Sequence, residues 1–485
     1  MSLRVSAIVP LLFAAACATN PATGKRELAL VSQEQEIQMG RESAAQVPEP
    51  LGLVDDPELQ SYVSRIGENM AARSERPNLP WEFHVVDDPA PNAFALPGGF
   101  IYVTRGMMNL MTTEAQLASV LGHEIGHVTA RHSVSQISKQ QLAQIGLGLG
   151  SVLSPTVGQL QPLIGTGLGL LFLKYGRDDE READSLGFGY VQGVGYDTSE
   201  FDDVFRALER TGDEEASAIP AWLQTHPQPA ERASRAEERA AALPRQTDAR
   251  VGREAYLGQI DDLVYGKDPR DGFFEDGVFY HPRLRFQIGF PGGWQTANLT
   301  QAVVAAEPQQ QAMLQLTIAG TLEPRAALAR FVQQPSLQIG RTSTSGINGQ
   351  PAAMAEFAAA TEGGAVRGLV AFVSHGDRTY QIVGYSAAER YGAFVDAFDR
   401  SIGSFGPVRR ADVLRVQPQR IDIVNVPSAM TLREFAERYP SGVPAAELAV
   451  LNHLPGEDAR IAPGTQVKRV IGSPQMRERS QDSGR

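Results

Sequence analysis

The sequence predicts an α+β protein: a mainly helical N-terminal domain with a small edge-strand sheet, then an α+β domain, then a small βααβ module. Three observations predict this class. Apolar residues recur at helical spacing in several segments before Ala242. From about Tyr280 the period changes to two, with Leu284, Phe286, Ile288 and Phe290 alternating ahead of a Pro291-Gly292-Gly293-Trp294 turn. After Pro407 a strand-like run, two short helical runs and a second strand-like run follow one another. A chain of 485 residues, 42% of them hydrophobic, should hold more than one domain. Its net charge of −12, with no basic block, argues against nucleic acid as a partner and against strong binding to anionic lipid.

The first residues read as a targeting segment. Arg4 precedes an apolar run from Val5 to Ala16, too short to span a bilayer as a mature helix. The run ends in Phe13-Ala14-Ala15-Ala16-Cys17, which resembles a bacterial lipobox. That resemblance implies a signal peptide over residues 1–17, with Cys17 lipidated as the mature N-terminus. Cys17 is the only cysteine, which agrees, since an exported chain with one unpaired thiol is otherwise odd. Ala18, rather than aspartate, follows it; by resemblance to Gram-negative lipoproteins this implies a lipid anchor in the outer membrane, facing the periplasm.

Helices open the next part. Ser32 with Gln35 forms a capping box, and Asp56-Pro57 starts an amphipathic helix carrying Leu59, Tyr62, Val63, Ile66 and Met70. Phe100 to Val103 is β-prone, follows a Pro-Gly-Gly turn and is expected to be an edge strand. Such an edge binds an extended peptide through main-chain hydrogen bonds. Thr113 with Gln116 then caps a helix whose stripe is Leu117, Val120, Leu121, Ile125 and Val128.

That helix contains His123-Glu124-Ile125-Gly126-His127. Residues four apart share a helix face, so both imidazoles can face one metal ion with Glu124 beside it. Glu124 is then placed to take a proton from water that such an ion activates, zinc lowering its pKa to about 7. A catalytic zinc site takes three protein ligands, so a third donor should come from another element. Glu180 and Asp184, again four apart, suit a carboxylate ligand followed by a carboxylate that orients a ligand histidine. Between them and the first helix runs an uncharged stretch from Gln140 to Leu173, expected to be a buried or lid-like element.

Four segments together resemble a family of gluzincin metallopeptidases that includes the CAAX prenyl endopeptidases, the mitochondrial inner-membrane stress protease and bacterial periplasmic proteases. They are Asn92 to Gly99, His123 to His132, Glu180 to Asp184, and Thr225-His226-Pro227 with Arg232. Asn20 to Arg26 looks like the start of its lipoprotein branch. The resemblance implies a zincin-like fold and one zinc ion held by His123, His127 and Glu180. It implies Glu124 as general base, and Asp184 and Arg232 as supporting residues. It also implies substrate binding along Asn92, Ala93, Phe94 and Ala95, and a catalytic or plugging role for His226. The substrates it implies are misfolded or stalled envelope proteins. His132 is expected to be structural, and His84, His281, His375 and His453 lack partners at ligand spacing.

The peptidase domain is expected over residues 18–245, a linker over 246–279 and the α+β domain over 280–406, the latter with no catalytic constellation. Residues 416–472 resemble the LysM fold, which implies affinity for peptidoglycan; Ala429-Met430 replaces the usual Gly-Asp before the Thr-Leu pair. Residues 473–485 are polar and expected to be disordered.

Overall fold

The computed structural model describes residues 17–47, 51–147, 174–211, 221–226, 229–242, 248–299, 301–361 and 364–472. The expected signal segment before Cys17, most of the lid-like stretch and the C-terminal tail lie outside the described residues. The chain divides into two compact units, one of Met1–Lys267 with Gln419–Ile471, the other built on Asp268–Pro418.

In the first unit, Cys17–Thr19 and Arg26–Leu28 form a short antiparallel hairpin. Helix α1 (Gln33–Ala44) starts at the Ser32–Gln35 capping box, and α2 (Pro57–Ala71) starts where the Asp56 carboxylate accepts the N–H groups of Glu58 and Leu59. The inner face of α2 buries Leu59, Tyr62, Val63, Ile66 and Met70. A three-stranded sheet follows: β1 (Glu82–Val86), β2 (Ala93–Leu96) and β3 (Phe100–Thr104), in the order β1-β3-β2. Strand β3 runs parallel to β1 and antiparallel to β2. Phe100 to Val103 is therefore the central strand and not the expected edge. Its residues are buried on both faces, so an apolar run without polar alternation belongs in the middle of the sheet. The edge is β2, joined to β3 by a turn in which Gly98 and Gly99 both take positive φ.

Helix α3 (Arg105–Leu110) leads to α4 (Glu114–Thr129), which is buried along its whole length, and to α5 (His132–Leu147). Thr113 caps α4 by accepting the Gln116 N–H, but the Gln116 side chain turns to the Thr112 N–H, so only half of the expected capping box forms. Then come α6 (Arg177–Gly193), α7 (Phe201–Arg210), α8 (Ala221–Thr225) and α9 (Pro229–Ala242). No described helix is long and apolar enough to cross a membrane.

Residues 246–279 do not form the expected linker. Helix α10 (Arg253–Ile260) buries Tyr256, Leu257 and Ile260, and the Tyr256 hydroxyl donates to the Met108 carbonyl at 2.6 Å. Three apolar residues at helical spacing give this short segment a face to bury. Val264–Tyr265 then pairs with Gln419–Arg420, and Phe273–Glu275 pairs with Val278–His281 in the second unit.

The second unit holds a seven-stranded antiparallel sheet covered on both faces and a four-stranded antiparallel sheet that includes Phe286–Gly289. Along the strand Gly364–His375, Leu369, Ala371 and Val373 join a core with Phe398 and Ile402 of the helix Tyr391–Ser404. The intervening Val370 and Phe372 join a separate core with Ala327 and Leu328 of the helix Pro324–Val332. The period of two thus divides one strand between two cores.

The C-terminal segment runs strand, helix, helix, strand, with Gln419–Asn425 antiparallel to Gln466–Ile471 and a Thr431–Glu434 capping box opening its first helix. It packs into the first unit. The buried Lys468 ammonium donates to the carbonyls of Asn109, Leu110 and Met111 at 2.7, 3.2 and 2.8 Å, capping the C-terminal end of α3. His453 Nε2 lies 3.1 Å from the Leu110 carbonyl and its Nδ1 lies 3.3 Å from Gln116 Nε2. Those partners select the neutral ring, with Nε2–H donating and Nδ1 accepting. Burial, followed by the nearby Lys468 charge, lowers the His453 pKa to about 3.

A group depressed in the folded state binds more protons when unfolded, so its contribution is complete above the unfolded pKa of about 6.5 and is lost as pH falls toward 3. Unfolding free energy is expected to drop by about 2 kcal/mol from this group between pH 7 and pH 5. In denaturant titrations His453→Asn, which tolerates the positive φ at this position, should show a shallower dependence. Equal slopes in both proteins would remove His453 as the cause.

Candidate metal centre

The site is assembled where α4 and α6 cross almost in contact. A Cβ on Gly126 would stand 2.7 Å from the Ala183 carbonyl oxygen, and one on Gly187 would stand 2.8 Å from the backbone of Gly122 and His123. Small residues on both helices let the backbones approach, which carries Glu180 onto the histidines of α4. His123 Nε2 and His127 Nε2 are 3.0 Å apart. Glu180 places one carboxylate oxygen 3.5 Å from His127 Nε2 and the other 3.6 Å from His123 Nε2. His226, at the end of α8, puts Nδ1 3.0 Å from Glu180 Oε1 and 3.2 Å from His123 Nε2. Ligand atoms of these four buried residues all lie within 4.8 Å of one another.

The ring tautomers follow from the partners behind each ligand. His123 Nδ1 is 2.9 Å from Asp184 Oδ1, so its N–H donates there and Nε2 presents a lone pair to the centre. His127 Nδ1 is 2.9 Å from His132 Nδ1, and His132 Nε2 is 3.1 Å from Glu182 Oε2. Protons directed outward along this chain leave His127 Nε2 bare as well. Burial, and then the neighbouring His123 ring, holds the His127 pKa well below its ordinary value, as a neutral metal ligand requires. Two imidazole lone pairs and a carboxylate facing each other in a dry interior repel unless a cation lies between them. A tetrahedral zinc with ligand bonds of about 2.0–2.1 Å has donors separated by about 3.3 Å, and the donor separations here bracket that edge. The residues fit the metal.

Glu124 supplies the next observation. It is fully buried, neither carboxylate oxygen has a hydrogen-bond partner, and His226 Nε2 is 3.7 Å from Oε1. Burial pushes its carboxyl pKa up, opposed by His226 and His123. An isolated buried carboxylate costs several kcal/mol, which only a function or an ion explains. Arg232 ties the remaining pieces together, with Nη1 2.8 Å from Glu180 Oε2 and Nη2 2.6 Å from Asp184 Oδ1. Burial works to raise the Asp184 pKa, but Arg232 and His123 hold it below the ordinary carboxylate value, ionised against His123.

Residues 57–240 match the model of Peptidase family M48. They form an M48 domain. Relatives match a comparable share of the chain. The beta-barrel assembly-enhancing protease of Escherichia coli (strain K12) is 32% identical over 241 residues, covering 47% of this chain and 48% of the relative. That of Yersinia pestis is 33% identical over 232 residues, covering 45% and 47%. Mitochondrial metalloendopeptidase OMA1 of Schizosaccharomyces pombe is 31% identical over 224 residues, covering 45% and 65%. The chain spans about half the length of these bacterial relatives. A solved structure of cyanobacterial PsbP from Synechocystis sp. PCC 6803 covers 27% of the chain at 14% identity and a TM-score of 0.23, too low to assign a fold.

Several contributors to the M48 site are silent in the sequence. His132 does more than serve the fold, because with Glu182 it sets the tautomer of His127. Tyr175 stacks on His127 with ring centroids 3.9 Å apart and hydrogen-bonds Ser133 at 2.9 Å. Trp222 stacks on His226 at 4.8 Å and lies under the Arg232 guanidinium at 4.6 Å. An aromatic outside any motif has no periodic signature that marks it as a wall of a site. The substrate-strand residues fall on β2: Ala93 and Ala95 are buried, Phe94 stacks on Tyr102 at 5.0 Å, and the strand packs beside α4 with one edge unpaired within its sheet. Asn92 precedes it, its N–H donating to Thr104 Oγ1 at 2.9 Å. His84, His281, His375 and His453 stand apart from the centre.

Proposed function

We propose that the M48 domain is a zinc-dependent endopeptidase acting on misfolded or stalled envelope proteins in the periplasm. The observation that carries this reading is the orphaned Glu124 carboxylate beside three converging donors, since a purely structural metal site needs no base. Zinc, when bound by His123, His127 and Glu180, supplies a Lewis acid that polarises a carbonyl and acidifies water. Glu124 holds the proton taken from the attacking water and returns it to the leaving amine. Asp184, held by Arg232, keeps His123 in the ligand tautomer, and His132 does the same for His127. The free edge of β2 offers its main chain to an extended segment, which selects for unfolded polypeptide more than for sequence. Relatives named beta-barrel assembly-enhancing protease support the outer membrane as the setting, and the lipobox-like residues up to Cys17 support a lipid tether there. Peptidoglycan is the ligand proposed for the LysM-like segment.

Casein cleavage by the chain beginning after Cys17, with and without a zinc chelator, tests the reading. Cleavage lost on chelation and restored by zinc supports it; a zinc-loaded protein that cleaves nothing counts against it, unless His226→Ala restores activity. His226 completes a four-donor set, so in this reading it plugs the open position at rest and must swing away for substrate. His226→Ala is expected to raise peptidase activity several-fold while weakening zinc retention. Equal or lower activity would remove the plug and leave His226 as a donor to the oxyanion.

A further inference from the structure

Beside the Asp184–Arg232 ion pair, α6, α7 and α9 line a half-open cavity of about 510 Å³. Arg232, Arg235 and Arg239 recur along one face of α9 at spacings of three and four, and all three line it. Arg232 is committed to Asp184 and Glu180. Arg181, also on the wall, is paired with Glu231 at 2.6 Å. The other two arginines are exposed and make no short ion pair among the described residues, though Glu231 lies in the field of Arg235 and Asp184 in that of Arg239. Arg239 donates to the Ser185 hydroxyl at 2.8 Å and lies over the Phe188 ring at 4.6 Å, with no carboxylate partner among the described residues. Arg235 makes no hydrogen bond or short ion pair among the described residues. Partial burial, and then the field of Arg235, push the Arg239 pKa down, opposed by the Asp184 carboxylate. Asp184 and Glu238 are the carboxylates on the lining. In a chain with a net charge of −12, this concave site brings four arginines, two of them solvent-exposed, against those two carboxylates.

We infer that this cavity binds a phosphate-bearing anion, held by the forks of Arg235 and Arg239, the latter steadied by the Phe188 ring beneath it. Guanidinium groups one helical turn apart suit an anion with three or more acceptor oxygens, because each fork takes a bidentate pair; a single carboxylate satisfies only one. The site is independent of the peptidase reading, but it stands one ion pair from His123 through Asp184. The anion is either a free phosphate compound or a lipid headgroup presented at a surface.

Two arms distinguish these sources. The first titrates the chain beginning after Cys17 with inorganic phosphate at low ionic strength in a calorimeter. The second measures co-sedimentation with phosphatidylcholine vesicles containing or lacking phosphatidylglycerol. Saturable phosphate binding that weakens about tenfold or more in Arg235→Ala/Arg239→Ala supports a soluble ligand. Binding confined to the anionic vesicles and lost in the same variant supports the headgroup. Arg235→Lys/Arg239→Lys keeps both charges and should bind at an intermediate level, separating fork geometry from net charge. Unchanged binding in the alanine variant, or no binding in either arm, overturns the proposal. Thermal melts of the variants without anion confirm that they are folded.

Discussion

Glu124→Gln is expected to reduce peptide hydrolysis by about a thousandfold or more, while leaving zinc stoichiometry and thermal stability intact or slightly improved. The size of the loss follows from what is removed: the amide cannot accept the proton of the attacking water, and no other base has its place. His226 is 3.7 Å from Glu124 but faces Glu180 and His123 with its other nitrogen. The retained stability follows from the surroundings. Both Glu124 oxygens are buried without hydrogen-bond partners, so an isosteric neutral side chain breaks no bond and removes an unsolvated charge. A variant that cleaves casein at near wild-type rate with zinc bound would end the assignment of Glu124 as base. A variant that loses its zinc would show that Glu124 belongs to the ligand set.

Gly187→Ala is expected to disturb the metal centre through a single added methyl group. Alanine is normally favoured over glycine in a helix by about 1 kcal/mol. Here its Cβ would lie 2.8 Å from the carbonyl carbon of Gly122 and the N–H nitrogen of His123, atoms that belong to the backbone of α4 and cannot rotate away. The helices must separate, at a cost of about 1–3 kcal/mol, and Glu180 recedes from His123 and His127 as they do. Metal centres tolerate little displacement, so zinc affinity should fall by an order of magnitude or more, with peptidase activity lost alongside it. Gly126→Ala meets the Ala183 carbonyl at 2.7 Å and should behave alike. Gly189→Ala, two residues along α6 with nothing within 4 Å of its Cβ, provides the control and should be neutral or stabilising. Chelator competition gives the zinc affinities and circular dichroism the melting temperatures. Wild-type zinc affinity in Gly187→Ala would show that the close helix crossing does not set the site.

These two variants also separate what each level of description contributes. Glu124 is legible in the chain because a carboxylate between two histidines four apart is a local matter: a helix dictates that positions four apart share a face. The capping residues Ser32, Asp56 and Thr431 are legible for the same reason, since each acts within its own first turn. The alternation that marked Leu284 to Phe290 likewise reports a neighbour relation along one strand.

The rest depended on contacts between segments distant in the chain. That Phe100 to Val103 lies in the middle of its sheet was decided by β1 arriving on its other side. Tertiary packing alone joined His132 to Glu182 behind His127, brought Trp222 against His226, and lodged Lys468 in the carbonyls at the end of α3. The glycines of α4 and α6 are the clearest case: within one helix each only weakens propensity, and their value appears when the opposing backbone fills the space a side chain would need. The sequence by itself determined the His123–His127 and Glu180–Asp184 spacings and the helices that carry them, because those are set along a single element. Only the tertiary structure decided how closely the helices approach, which tautomers their neighbours enforce and where the exposed arginines face, because packing and electrostatics act between elements through distances that no local pattern encodes.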